Sequence, residues 1–103
     1  MLIHLSPQFS SERLSVVVTG EVVTLNGEDF DFTPLEPGGS LPLEALNSPW
    51  FVRDVQRDST GELVLTLLFP HATDAPYDSR FPQPISVTGD GPVSLPPAEE
   101  VQP

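Results

Sequence analysis

The sequence contains no cysteine and no lysine. Without cysteine, neither a disulfide framework nor a thiolate metal site can form. Without lysine, the only permanent side-chain cations are four arginines, set against fifteen Asp and Glu, for a formal net charge of −11. Binding to nucleic acid phosphate needs clustered Lys and Arg to displace counterions, so no nucleic-acid partner is expected. An anionic membrane surface is disfavoured for the same reason. Long hydrophobic runs are also missing. The longest, "LVLTLLF" at 63–69, is far too short to span a bilayer as a helix. The opening "MLIHLSPQF" lacks a basic n-region and an extended apolar h-region, so neither a secretory signal nor membrane insertion is expected.

A chain of 103 residues fits one domain. Apolar residues make up 38%, and 13 prolines and 7 glycines interrupt regular structure, so the core must come from a few dense segments. Proline cannot donate to a strand ladder and is kept out of central strands. Two windows, 8–33 and 50–69, contain no proline and hold most of the β-branched and aromatic residues.

The first window reads as a three-strand meander over about 13–33. "RLSVVV" leads through Thr19-Gly20 into "EVVTL", and Asn26-Gly27 leads into "EDFDF". Asn-Gly between alternating runs is the strongest short hairpin signal, because a type I′ turn needs positive φ at both positions. With two-residue loops at both places, Val16, Val23 and Phe30 form one cross-strand row, and Val18, Glu21 and Phe32 the next. Phe30 and Phe32 point inward, while Asp29 and Asp31 point to water.

The second window reads as a long hairpin over about 50–69. Asp58 followed by Gly61 suits a type I turn closed by a left-handed glycine. Leu63, Leu65, Leu67 and Phe69 face one way, and Val64, Thr66 and Leu68 the other. A strand apolar on both faces belongs in the middle of a sheet. "LIHL" at 2–5 and "PISVTG" at 84–89 read as short edge strands, and "LPLEALN" at 41–47 as one or two helical turns led by Pro42. The expected fold is mainly β: a small antiparallel sandwich or partly open barrel with one short helical turn. Residues 1–91 form a single β-domain, and 92–103 a proline-rich acidic tail, extended or disordered.

Polar residues offer few sites. "LFPHATDAPYDSRFPQP" at 68–84 carries His71, Asp74 and Asp78, which could ligate a metal together. Zinc sites use tighter, repeated spacing on a rigid frame, so the segment reads as a surface loop whose aspartates bond nearby amides. His4 lies in an alternating strand and reads as a surface or edge residue. Asp29 with Asp31, and Glu99 with Glu100, are paired carboxylates. Acid–base work requires a desolvated member, and these sit on a wet face and in the tail. "EPGGS" lacks a P-loop lysine, and no serine lies in a nucleophile elbow. No catalytic, metal-binding or cofactor-binding residue is expected, and the chain reads as a non-enzyme. Arg53 and Arg57 read as partners of nearby carboxylates. Trp50 and Phe51 open the long hairpin and suit the core, or an interface anchor alongside Tyr77 and Phe81.

The order of segments "LSPQF" at 5–9, "VVTLNGEDFDFTPL" at 22–35, "LTLLFPHATDAP" at 65–76 and "RFPQPISVTGDGPVSLP" at 80–96 resembles short acidic proteins encoded in the tail gene clusters of tailed bacteriophages and prophages. The resemblance covers nearly the whole chain and carries no catalytic motif. It implies a structural protein of the virion tail, at the tail tip or baseplate. That protein would be made in the host cytoplasm and partnered by other tail proteins in a symmetric oligomeric assembly. A tail-assembly factor absent from the virion is the variant of that reading. Two other classes compete. An acidic inhibitor or nucleic-acid mimic would array carboxylates against a basic groove. A sugar-binding module would need exposed aromatics, and one Trp and one Tyr are a thin supply.

Overall fold

The computed structural model describes residues 1–72 and 82–96. The chain is mainly β and forms two sheets that do not close into a barrel. In chain order the strands are β1 (Leu2–Phe9), β2 (Val16–Thr19), β3 (Val22–Leu25), β4 (Glu28–Asp31), β5 (Ser40–Leu41), β6 (Val55–Arg57), β7 (Leu63–His71), β8 (Ile85–Ser86) and β9 (Gly91–Pro92), with one helical turn, α1 (Leu43–Leu46), between β5 and β6. One sheet has the order β5-β6-β7-β1-β8, and the other β4-β3-β2-β9. They share one core, to which Ile3, Val55, Leu65 and Leu67 contribute from the first sheet and Val16, Val18, Val23 and Leu25 from the second.

The meander forms as expected in strand content, with one shift of register. Asn26 and Gly27 have φ of 49° and 87°, the pair of positive values a type I′ turn needs. Val23 lies opposite Phe30, and Leu25 opposite Glu28. The preceding turn is Gly20-Glu21 rather than Thr19-Gly20, so Val18 pairs with Val23 and Val16 with Leu25. Gly20 takes φ of 62°. A turn one residue earlier would have put the β-branched Thr19 at the position needing positive φ, which is sterically disfavoured. Moving the turn by one residue shifts each partner by two, so the inward and outward faces survive. Glu21, expected inside a cross-strand row, is thereby released into the turn.

β7 occupies the centre of the five-stranded sheet, with Leu63, Leu65, Leu67 and Phe69 buried on its inner face. The three-residue connection before it also matches expectation: the Gly61 N–H donates to the Asp58 carbonyl at 3.0 Å, and Gly61 has φ of 92°. The other hairpin arm is irregular. Phe51 bridges Leu67 and Gln56 pairs with Val64, so five steps on one strand match three on the other. The two extra residues bulge outward around Val52–Asp54. The bulge brings Asp54 Oδ1 within 2.8 Å of the Leu43 N–H. It thus accepts a free donor at the start of α1, where Pro42 makes no side-chain cap.

The N-terminal strand differs most from expectation. β1 is eight residues long, lies inside the sheet, and pairs parallel with β7 from Leu2↔Val64 to Phe9↔His71. The sandwich is therefore antiparallel everywhere except at this central pair. Both strands contain proline, and the ladder's alternation explains how. Met1 exchanges both backbone bonds with Val87, and the Ser10 N–H donates to the His71 carbonyl. Odd residues of β1 thus aim their backbone groups toward β8, and even ones toward β7. Pro7 is odd, so its missing N–H subtracts nothing from the β1–β7 ladder. In β7, Thr66 and Leu68 bond the Trp50–Val52 segment. Pro70 shares their parity and likewise faces away from β1.

The boundary at 91/92 falls inside β9. Val17 pairs with Pro92, the Val93 N–H donates to the Val16 carbonyl at 2.8 Å, and Val93 and Leu95 pack against the core. Residues 92–96 therefore belong to the folded unit, because they complete the edge of the second sheet. The remainder of the expected tail, 97–103, lies outside the described residues.

Candidate functional site

Turns from both sheets converge at one end of the sandwich. The Gly20-Glu21 turn, the 58–62 connection and the 87–90 segment enclose a cleft of about 590 Å³ that carries Glu21, Glu62 and Asp90. Arg57, the last residue of β6, also lines it and is only 7% exposed. Its Nε donates to the Leu35 carbonyl at 2.6 Å and Nη2 to the Phe32 carbonyl at 2.9 Å. Nη1 donates to the Gly61 carbonyl at 2.8 Å and to Glu21 Oε1 at 2.9 Å. The guanidinium therefore joins its own hairpin to the chain leaving β4 and to the β2–β3 turn. The expected pairing of Arg57 with a carboxylate is present, with the guanidinium buried and the Glu21 side chain 42% exposed. Nearly all of the fork is committed, which leaves little capacity to receive an anionic ligand.

A second cleft, also about 590 Å³, lies on the outer face of the five-stranded sheet. His4 and Thr66, paired neighbours on β1 and β7, form its floor with Val64. Leu43 of α1 and the bulged Arg53 and Asp54 also line it. His4 is half-buried there, in keeping with a surface position.

The acidic residues on turns act locally. Asp58 Oδ1 accepts from the Thr60 hydroxyl at 2.6 Å and from the backbone N–H groups of Thr60 and Glu62. The Thr60 hydroxyl is the chief reason its carboxyl lies below the ordinary value of 3.8. Asp31 Oδ1 accepts from the Thr33 hydroxyl and N–H, and the hydroxyl again leads in lowering its pKa. Asp29 receives the Thr24 hydroxyl at 2.6 Å. Both Asp29 and Asp31 are exposed on edge strand β4.

His71 ends β7 buried, with its Nδ1 2.8 Å from the Ala72 carbonyl and its ring tilted against Phe69. Asp74 and Asp78, the other members of the candidate metal set, lie outside the described residues, as do Tyr77, Phe81, Glu99 and Glu100. Among the described residues, no group of three or more His, Asp or Glu is placed to hold a metal ion.

The aromatic pair divides. Phe51 is 4% exposed and meets Phe30 edge-on at 5.0 Å and Phe32 at 6.1 Å. It is a core residue and not an interface anchor, because the bridge to Leu67 turns its ring between the sheets. Trp50 is half-buried against the core. The aromatic most open to solvent among the described residues is Phe9, 65% exposed at the end of β1. Sequence alternation alone would have put Phe9 on the inner face with Ile3 and Leu5. It is exposed although its register neighbour on β7, His71, is buried.

No family model matches the sequence, and no curated protein or solved structure matches it either. No helix among the described residues is long and apolar enough to cross a membrane.

Proposed function

We propose that this protein is a non-enzymatic interaction component of a bacteriophage tail, placed at the tail tip or baseplate. The tail assignment is supported by the resemblance of the segment order to small acidic tail-cluster proteins. The interaction role is supported by one structural observation: Phe9 stands 65% exposed at the end of β1, where β8 pairs only with Leu2 and Ile3. A large exposed aromatic at the end of a well-anchored strand is a rigid contact for another subunit. The buried Arg57 spends its donors on backbone carbonyls, which suits a scaffold that holds its shape while its surface makes contacts.

The test is quantitative mass spectrometry on density-purified particles of the encoding phage. A fixed copy number per particle, consistent with tail symmetry, is the expected result. Phe9→Ser is expected to leave the free protein folded and to reduce its incorporation. Presence in lysate but never in particles would overturn the virion assignment and favour an assembly factor. Unchanged incorporation of Phe9→Ser would remove Phe9 from the contact.

The alternative is an acidic inhibitor of a basic partner. Edge strand β4 favours it, since Glu28, Asp29 and Asp31 are all exposed there. Charges on an edge strand also serve to prevent edge-to-edge association.

A further inference from the structure

Asn26-Gly27 is the most chemically labile dipeptide in the chain, and its surroundings bear on that lability. Gly27 has no side chain to shield its nitrogen, and beyond its own chain neighbours no atom lies within 4 Å of where a Cβ would stand. The turn is thus open to solvent and base. The Asn26 side chain, in contrast, is held. Its Oδ1 accepts the Ser15 N–H at 2.6 Å, and its Nδ2 donates to the Arg13 carbonyl at 3.0 Å. The Asn26 N–H donates to the Ser15 carbonyl at 3.0 Å. The carboxamide thereby extends the β2–β3 ladder past its last strand pair, using its donor and its acceptor at once.

We propose that Asn26 is a latent deamidation site, protected while its carboxamide is bonded to residues 13–15 and exposed to succinimide chemistry when that end of the hairpin opens. In the reaction, hydroxide removes the Gly27 amide proton and the nitrogen attacks Asn26 Cγ. The new N–Cγ bond forms, water returns a proton to Nδ2 and so regenerates hydroxide, the Cγ–Nδ2 bond breaks, and ammonia leaves. Water then opens the succinimide at either carbonyl, giving aspartate or isoaspartate, with no change of oxidation state. The attack requires Cγ to rotate toward the Gly27 nitrogen, which the two side-chain bonds oppose.

The modification would also leave the hairpin end weakened. In aspartate, a carboxylate oxygen replaces Nδ2 and faces the Arg13 carbonyl, so two acceptors meet where a donor is needed. In isoaspartate, an added backbone methylene breaks the two-residue turn geometry. Either product stops the hairpin end from closing as before.

The experiment incubates the full chain in mildly alkaline buffer, with and without denaturing urea, and follows the mass increase and isoaspartate content of the peptide containing residue 26. The native protein is expected to deamidate about tenfold or more slowly than the unfolded one, because reaction through an opened state follows that state's population. Equal rates would overturn the proposal. Asn26→Asp supplies a second reading by urea unfolding. It is expected to lower the midpoint at neutral pH, with the deficit shrinking in acid, where a protonated carboxyl can again donate to the Arg13 carbonyl. An unchanged midpoint at neutral pH would show that the side-chain bonds hold nothing and would also overturn it.

Discussion

Arg57 and Glu21 meet at 2.9 Å, one on the last position of β6 and the other in the β2–β3 turn, so that their ion pair ties one sheet to the other. The two sides of the pair are unequal: Arg57 is 7% exposed and Glu21 42%. The arginine also serves three backbone carbonyls, whereas the glutamate can be replaced by water.

That asymmetry separates two substitutions. Arg57→Met leaves the carbonyls of Phe32, Leu35 and Gly61 without their donor and is expected to cost about 3–5 kcal/mol in urea unfolding. Arg57→Lys should recover little, since one ammonium cannot reproduce the fork. Glu21→Gln should cost at most about 1 kcal/mol, as for other partly exposed pairs. A loss for Glu21→Gln as large as that for Arg57→Met would show that the charge pair, rather than the carbonyl contacts, carries the stabilisation.

Acid sensitivity should trace in part to Asp31 and Asp58. Hydrogen bonds from Thr33 and Thr60 lower both carboxyl pKa values from 3.8. A depressed folded-state pKa contributes stability that is present above the unfolded value and lost as pH falls through the folded one. The unfolding midpoint is therefore expected to fall as pH drops below 3.8, and to fall less steeply in the Asp31→Asn, Asp58→Asn double variant. Urea titrations across that range check this, and parallel slopes for the two proteins would count against it.

Two glycines should fail for different reasons when replaced by alanine. At Gly61 no atom would touch an added Cβ, but φ is 92°, so Gly61→Ala is expected to cost about 1–2 kcal/mol through backbone strain alone. At Gly39 φ is not positive, yet an added Cβ would stand 2.8 Å from the Glu36 carbonyl oxygen and 3.1 Å from Leu35 Cδ1. The Gly39 carbonyl accepts the Arg57 N–H, so relief by backbone movement would disturb β6. Gly39→Ala is expected to cost about 1–3 kcal/mol. Gly39→Asn should be no better than alanine, whereas Gly61→Asn should recover stability, since Asn tolerates the left-handed region. Thermal unfolding of the four variants distinguishes the two mechanisms.

What the sequence determined by itself was local. Period-two alternation sets which residues of β2–β4 and β7 face inward, and Asn26-Gly27 and Gly61 mark turns that need positive φ. These features depend on neighbours a few residues away, so they can be read without knowing what the chain packs against. Even the turn expected at Thr19-Gly20, which falls at Gly20-Glu21, left the faces correct, because the shift changed each pairing by an even number. Tertiary structure decided the rest. Nothing near Leu2 states that it will lie beside Val64, so β1 reads as a short edge strand when it is an interior parallel one. Phe9 is exposed although alternation sets it with Ile3 and Leu5, and Phe51 is buried through its bridge to Leu67, a residue distant in the chain. From the sequence, Arg57 reads as the partner of a nearby carboxylate, and Glu21 is one. The arginine is buried because the chain leaving β4 brings the Phe32 and Leu35 carbonyls to that end of the sandwich, and buried carbonyls need a donor that only a neighbouring element could supply.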